Sequence, residues 1–465
     1  MTLNPITASA AEIAGAVRAG TTSAREVIDA VLATIRTRDK ALNAFTAVTE
    51  ERARAKAAAI DARRAQGAAL GPLAGVPFAV KNLFDVAGLP TLAGSKINRE
   101  HAAATRDATL IERLEAAGAI LVGALNMGEY AYDFTGENVH DGPSRNPHDT
   151  LRMTGGSSGG SGGAVAGRLV PFSLGSDTNG SIRVPASLCG IFGLKPTYGR
   201  LSRARTFPFV ASLDHLGPFA RTVGDLALAY DAMQGHDPDD PVCVERPAEP
   251  TLPRIDDGID GLKVAVAVGY FRKGAAPEAL TALERVAAAL AAKREIEIPE
   301  AARARAAAYV ITATEGAALH LDRLRTRAND FDPAVRDRLI AGAMVPATLV
   351  NKAQKFRRWY RARVLELFAE VDVILAPATP CTAPLIGQQT FVLDGVELPV
   401  RANLGIYTQP ISFIGLPVVA VPVPQPGGMP IAVQIITAPW REDVALRIAY
   451  DLEARGIARA QQPPE

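Results

Sequence analysis

Between Met153 and Ser187 the chain reads MTGGSSGGSGGAVAGRLVPFSLGSDTNGSIRVPAS. Two Gly/Ser knots flank an apolar segment, and this constrains the fold more than any other stretch. A free Gly/Ser linker has no reason to run straight into an apolar, strand-like segment and a second knot. A phosphate cradle of the G-x-x-x-x-G-K-[ST] type would need a Lys-Ser/Thr ending, which is missing. A nucleophile elbow is a third reading, since Gly156-Ser157-Ser158-Gly159-Gly160 satisfies G-x-S-x-G with Ser158 as nucleophile. Such matches come freely in a Gly/Ser-rich run, and an elbow follows a hydrophobic strand, whereas RNPHDTLRM is polar. That reading would also need His215, His236 or His320 as its base.

Around this stretch the hydrophobic pattern implies an α/β fold. Ser9 with Glu12 and Ser23 with Glu26 have the spacing of capping boxes, each opening a helix. After the second, Val27, Ile28, Val31, Leu32 and Ile35 form an apolar stripe at helical spacing. From Leu73 onward short apolar strands alternate with helices. VPFAV (76–80), AILVG (119–123), LKVAVAV (262–268), VDVILAP (371–377) and GLPVVAVPV (415–423) read as strands. Asp107 is placed to cap a helix carrying Leu110, Ile111 and Leu114. The Pro-rich stretch 246–259 is a surface connection, and 300–370 is Ala/Arg/Leu-rich and helical. The expected architecture is a large mixed, twisted sheet covered by helices on both faces, with a helical elaboration. The expected organisation is a single domain over 1–465 with 300–370 as a cap or partner-binding layer.

Composition narrows the function. Fifty Lys and Arg against 49 Asp and Glu leave a net charge of +1, so no global field draws the chain to nucleic acid or membrane. The first residues lack a basic segment followed by an apolar one, and no uncharged apolar run is long enough to span a bilayer. Cys189, Cys243 and Cys381 are widely spaced, and the histidines show no paired spacing. A reduced, metal-free protein of the cytoplasm is expected.

Lys81 behind its strand, the GGSSGG run and GSDTNGSIRVPASLCGIFGLKPTYGRLS together resemble the amidase signature family of serine hydrolases. The likeness extends through ENVHDGPSRNPHD to GLPVVAVPV, so it covers most of the chain, with 66–245 as its signature core. It implies a Ser–cis-Ser–Lys triad: Ser181 as nucleophile, Ser157 as bridge on a cis Gly156–Ser157 peptide, and Lys81 as base. It further implies an oxyanion hole from the backbone N–H groups of Thr178, Asn179, Gly180 and Ser181. Asp177, Ser158 and Arg183 fall on positions that hold the constellation together. No cofactor is implied. The roles make physical sense: a serine hydroxyl needs a base, and a lysine serves as one only when burial keeps it neutral.

The family spans many amides, so the triad gives the reaction and not the substrate. PFAVKNLFD, TLAGSKINR, HLDRLR, FRRWYRARV and GMPIAVQIITAPW resemble most the members that release ammonia from the small ureide 1-carboxybiuret. Asn82 stands where many members have aspartate, and Asn179 where amidotransferase subunits usually have glycine. Asn179 either adds a side-chain amide beside a small urea-like substrate or is a tolerated turn residue. An anionic ureide calls for a guanidinium. Arg323, Arg325, Arg327, Arg357 and Arg358 are candidates, as are His320 and Tyr132, and the sequence singles out none of them. Members of this kind imply a small helical partner subunit, and either a homodimer or a heterotetramer with it. The alternatives are an amidase of another small amide or ureide, or an amidotransferase A-type subunit dependent on a partner.

Overall fold

The computed structural model describes residues 3–464. Its strongly apolar segments meet in one 11-stranded mixed sheet. In chain order its strands are β1 (Phe45–Val48), β2 (Pro77–Lys81), β3 (Ile120–Leu125), β4 (Phe172–Asp177), β5 (Phe192–Lys195) and β6 (His215–Ala220). The later ones are β7 (Val264–Ala267), β8 (Arg294–Ile296), β9 (Val373–Pro377), β10 (Val418–Val423) and β11 (Ile431–Thr437). They lie side by side as β1-β3-β2-β4-β6-β5-β10-β11-β9-β7-β8. β2 is parallel to both neighbours, β3 and β4. From β4 to β9 each pair is antiparallel, and β9, β7 and β8 return to parallel. Every residue of β2, β3, β4, β6, β10 and β11 is buried. Helices therefore cover both faces, as the near-continuous apolar runs require.

Both capping boxes form, opening helices Ala10–Ala19 and Ala24–Leu42. Asp107 does not cap the helix Thr109–Ala116, whose N-cap is Ala108 without a side-chain bond. Its carboxylate is instead taken by Arg52 and the Ala87 N–H. The segment expected to be helical contains Ala301–Arg327, Pro333–Ala343 and Ala347–Leu367. No helix among the described residues is long and apolar enough to cross a membrane.

The sheet topology decides where chemistry can sit. β2 ends at Lys81 and its parallel neighbour β4 ends at Asp177, so both strands deliver their last residues to one edge of the sheet. Side chains at the carboxyl ends of parallel strands line the crevice where α/β folds bind ligands. The first Gly/Ser knot lies against this edge through the helix Gly159–Ala166, where Ser161 Oγ donates to the Leu174 carbonyl. Gly160 is required for that approach: a Cβ there would lie 2.5 Å from the Ala44 carbonyl oxygen.

Candidate active site

Lys81 is completely buried. Its Nζ donates to Ser157 Oγ at 2.7 Å and to Ser176 Oγ at 2.9 Å. Burial pulls its pKa down from 10.5 to about 7, although the carboxylates of Asp214, Asp177 and Asp133 favour the ammonium. A large share is therefore the neutral amine at neutral pH, the form able to take a proton. Burial alone does not single it out. Lys195 is equally buried and also held near 7, but its Nζ meets only the carbonyls of Leu416 and Pro196. The contact with two hydroxyls sets Lys81 apart. The Gly156–Ser157 peptide is cis, and Ser157 shows no exposed surface.

The turn after β4 carries the second knot. Asp177 and Arg183, both fully buried, form a bidentate ion pair, with Arg183 Nε and Nη2 each 3.0 Å from a carboxylate oxygen. Burial alone would raise the Asp177 pKa, but the Arg183 guanidinium outweighs it and holds the carboxyl well below the usual range. Asp177 also accepts from the Ile182 N–H, Gln434 Oε1 accepts from Arg183 Nη1, and Ser412 Oγ joins the pair. Thr178 Oγ1 donates to Asp214 at 2.6 Å, and Thr408 Oγ1 donates to the Asn179 carbonyl at 2.7 Å. Gly180 has φ +145°, and a Cβ on it would sit 2.1 Å from Thr408 Oγ1, so no other residue fits. Among the described residues the backbone N–H groups of Thr178, Asn179, Gly180 and Ser181 find no protein acceptor. Ser181 Oγ also lacks a protein partner.

Ser158 does something else. Its hydroxyl donates to the Ser176 carbonyl and accepts from the Ser176 N–H, tying the first knot to β4. No histidine reaches it. His215 Nδ1 faces the carbonyls of Leu213 and Asp177, and His236 Nδ1 faces that of Cys243. The His320 ring lies tilted against that of Tyr130, their centres 4.0 Å apart, where burial and the neighbouring Arg323 push its pKa down to about 3. The elbow reading thus lacks a base.

A small cavity lies beside Ser181, lined also by Tyr132, Asn179, Tyr309, Arg338 and Gln409. Of the candidate pocket residues Tyr132 lies there, whereas His320 and the five arginines do not. Arg323 lies over Tyr130 and Phe207, Arg325 pairs with Asp322, and Arg327 with Glu100 and Asp330. Arg357 donates to the carbonyls of Phe413 and Ser212, and Arg358 lines a separate groove. The guanidinium at the cavity is Arg338, which lies 3.9 Å from the centre of the Tyr132 ring and donates to the carbonyls of Ala334 and Tyr132. No motif marks Arg338, Tyr309 or Gln409; each is one polar residue among many in helical sequence.

The amidase family model matches residues 26–446. The chain belongs to the amidase family. As an amidase it is a hydrolase of amide C–N bonds. It is 56% identical to AtzE, named as part of the 1-carboxybiuret hydrolase of Pseudomonas sp. (strain ADP), over 96% of this chain and 98% of that protein. It is 37% identical to one of the subunits of the glutamyl-tRNA(Gln) amidotransferase of Thioalkalivibrio sulfidiphilus, covering 96% of each. Among solved structures, a vestigial protein complex described as revealing the origins of an s-triazine catabolic enzyme superposes with TM-score 0.97 at 55% identity, covering 98% of the amidase and all of that chain. A bacterial aryl acylamidase of the amidase signature enzymes superposes with TM-score 0.89 at 26% identity, covering 97% of each.

Proposed function

We propose that this amidase releases ammonia from 1-carboxybiuret through an acyl-enzyme formed on Ser181. The observation that carries the chemistry is the buried Lys81, held near neutrality and bonded to Ser157. Lys81 takes the Ser157 proton as Ser157 takes that of Ser181, whose oxygen attacks the terminal carbonyl carbon. The oxygen of that carbonyl gains negative charge and is met by the unpartnered N–H groups of the 178–181 turn, each worth about 3 kcal/mol to the transition state. Ser157 returns the proton to the nitrogen, the C–N bond breaks, and ammonia leaves. Water then enters by the same relay and frees the acyl group. Asp177, Arg183 and Ser158 hold the two knots in register.

The substrate assignment is supported by the 56% identity to a protein named for 1-carboxybiuret hydrolysis, against 37% to an amidotransferase component. Arg338 supports it chemically, since a guanidinium at the cavity suits a substrate carboxylate. We read residues 1–465 as one amidase domain in a cytoplasmic protein. The helical layer would receive a small helical subunit within a homodimer or heterotetramer. That AtzE is named as one subunit of its enzyme supports this, as do the exposed Ile340, Met344, Leu349 and Trp359 on the layer. The test is ammonia release from freshly generated 1-carboxybiuret, biuret, allophanate and simple amides, alone and with a small helical subunit supplied. Carboxybiuret is expected to be the preferred substrate. Faster release from any other amide would discard this assignment.

A further inference from the structure

Asn179 lines the cavity beside Ser181. Its backbone carbonyl is taken by Thr408 Oγ1, and its side-chain Nδ2 donates to Thr312 Oγ1 at 3.0 Å. Thr312 is itself buried on the long helix Ala301–Arg327. Two separate elements thus fix both the turn and the amide of Asn179. One atom is left over: Oδ1 is buried and has no hydrogen-bond partner among the described residues. A buried acceptor is costly to leave unpaired, and a ligand N–H entering the cavity that Asn179 lines would pair it. An acceptor oxygen gives nothing to a developing oxyanion, so the task of Oδ1 is recognition of an N–H.

We propose that Asn179 Oδ1 is a specificity-determining acceptor, taking the N–H that lies between two carbonyls of a ureide and so selecting ureides over carbon amides. This rests on the amidohydrolase reading above. Every primary amide offers the NH2 that leaves as ammonia. A ureide also carries an N–H on the other side of the scissile carbonyl, where a carbon amide has CH2. A site built to bond such a group discriminates strongly against an analogue lacking it, because its own polar atom is then stranded.

Biuret and malonamide differ by this one exchange, and their binding to the Ser181→Ala protein by calorimetry isolates recognition from turnover. Biuret is expected to bind about tenfold tighter or more. Adding Asn179→Ala should abolish that difference, whereas Asn179→Asp, which keeps an acceptor, should preserve the preference. Equal binding of the two ligands, no binding of either, or a preference that survives Asn179→Ala would overturn the proposal. Failure of the functional reading shows elsewhere, as wild-type protein that leaves carboxybiuret intact.

Discussion

A lysine at the end of a strand is ordinarily a solvated surface residue, and Lys81 departs from that because β2 is buried along its whole length. Its position behind VPFAV makes burial legible in the sequence. The role proposed for it was legible only through the family resemblance, because Lys195 shows the same burial with its Nζ bonded to carbonyls instead. The pH dependence follows from the sign of the shift. Only the neutral amine accepts a proton, and burial puts the transition near 7. The kcat/KM for ammonia release is expected to rise with pH through about 7 and then level off. A profile flat from pH 6 to 9 would remove Lys81 as the base. Arg338 was not legible at this scale. Its placement depends on how the helix Pro333–Ala343 packs over Tyr132, and no local pattern encodes that.

At the scale of elements, long apolar runs gave themselves away and irregular ones did not. β7, β9 and β10 lie inside stretches readable as strands from their apolar content, and β2 and β3 overrun theirs by one and two residues. β6 contains Gly217 and Pro218, residues that argue against a central strand, yet it pairs with β4 along six residues. Tertiary pairing overrides the local signal there. The turn between β4 and the helix Arg183–Cys189 depends on the buried Asp177–Arg183 pair. Removing one partner strands the other charge without water, whereas removing both would not. Arg183→Ala is therefore expected to lose about 3–5 kcal/mol in urea unfolding. A loss below about 1 kcal/mol would mean that the pair is not what fixes the turn.

Over the whole molecule, alternation of strands and helices pointed to the α/β class, and the pairing order across eleven strands lay beyond the sequence. Neighbours such as β5 and β10, more than two hundred residues apart in the chain, pair antiparallel in the middle of the sheet. The site draws on the same long-range assembly. Lys81 and the two Gly/Ser knots come from three separate segments, and Tyr309, Arg338 and Gln409 reach the cavity from the later helical sequence, where Thr312 bonds the Asn179 amide. The near-neutral charge fits a small polar substrate better than a polyanion. The central claim is that amide hydrolysis runs through Ser181. The most direct test is ammonia release from 1-carboxybiuret by wild type and by Ser181→Ala, with folding of the variant checked by circular dichroism. The account predicts rapid release by wild type and a fall of at least about a thousandfold in the folded variant. Release by Ser181→Ala at a rate close to wild type would contradict it.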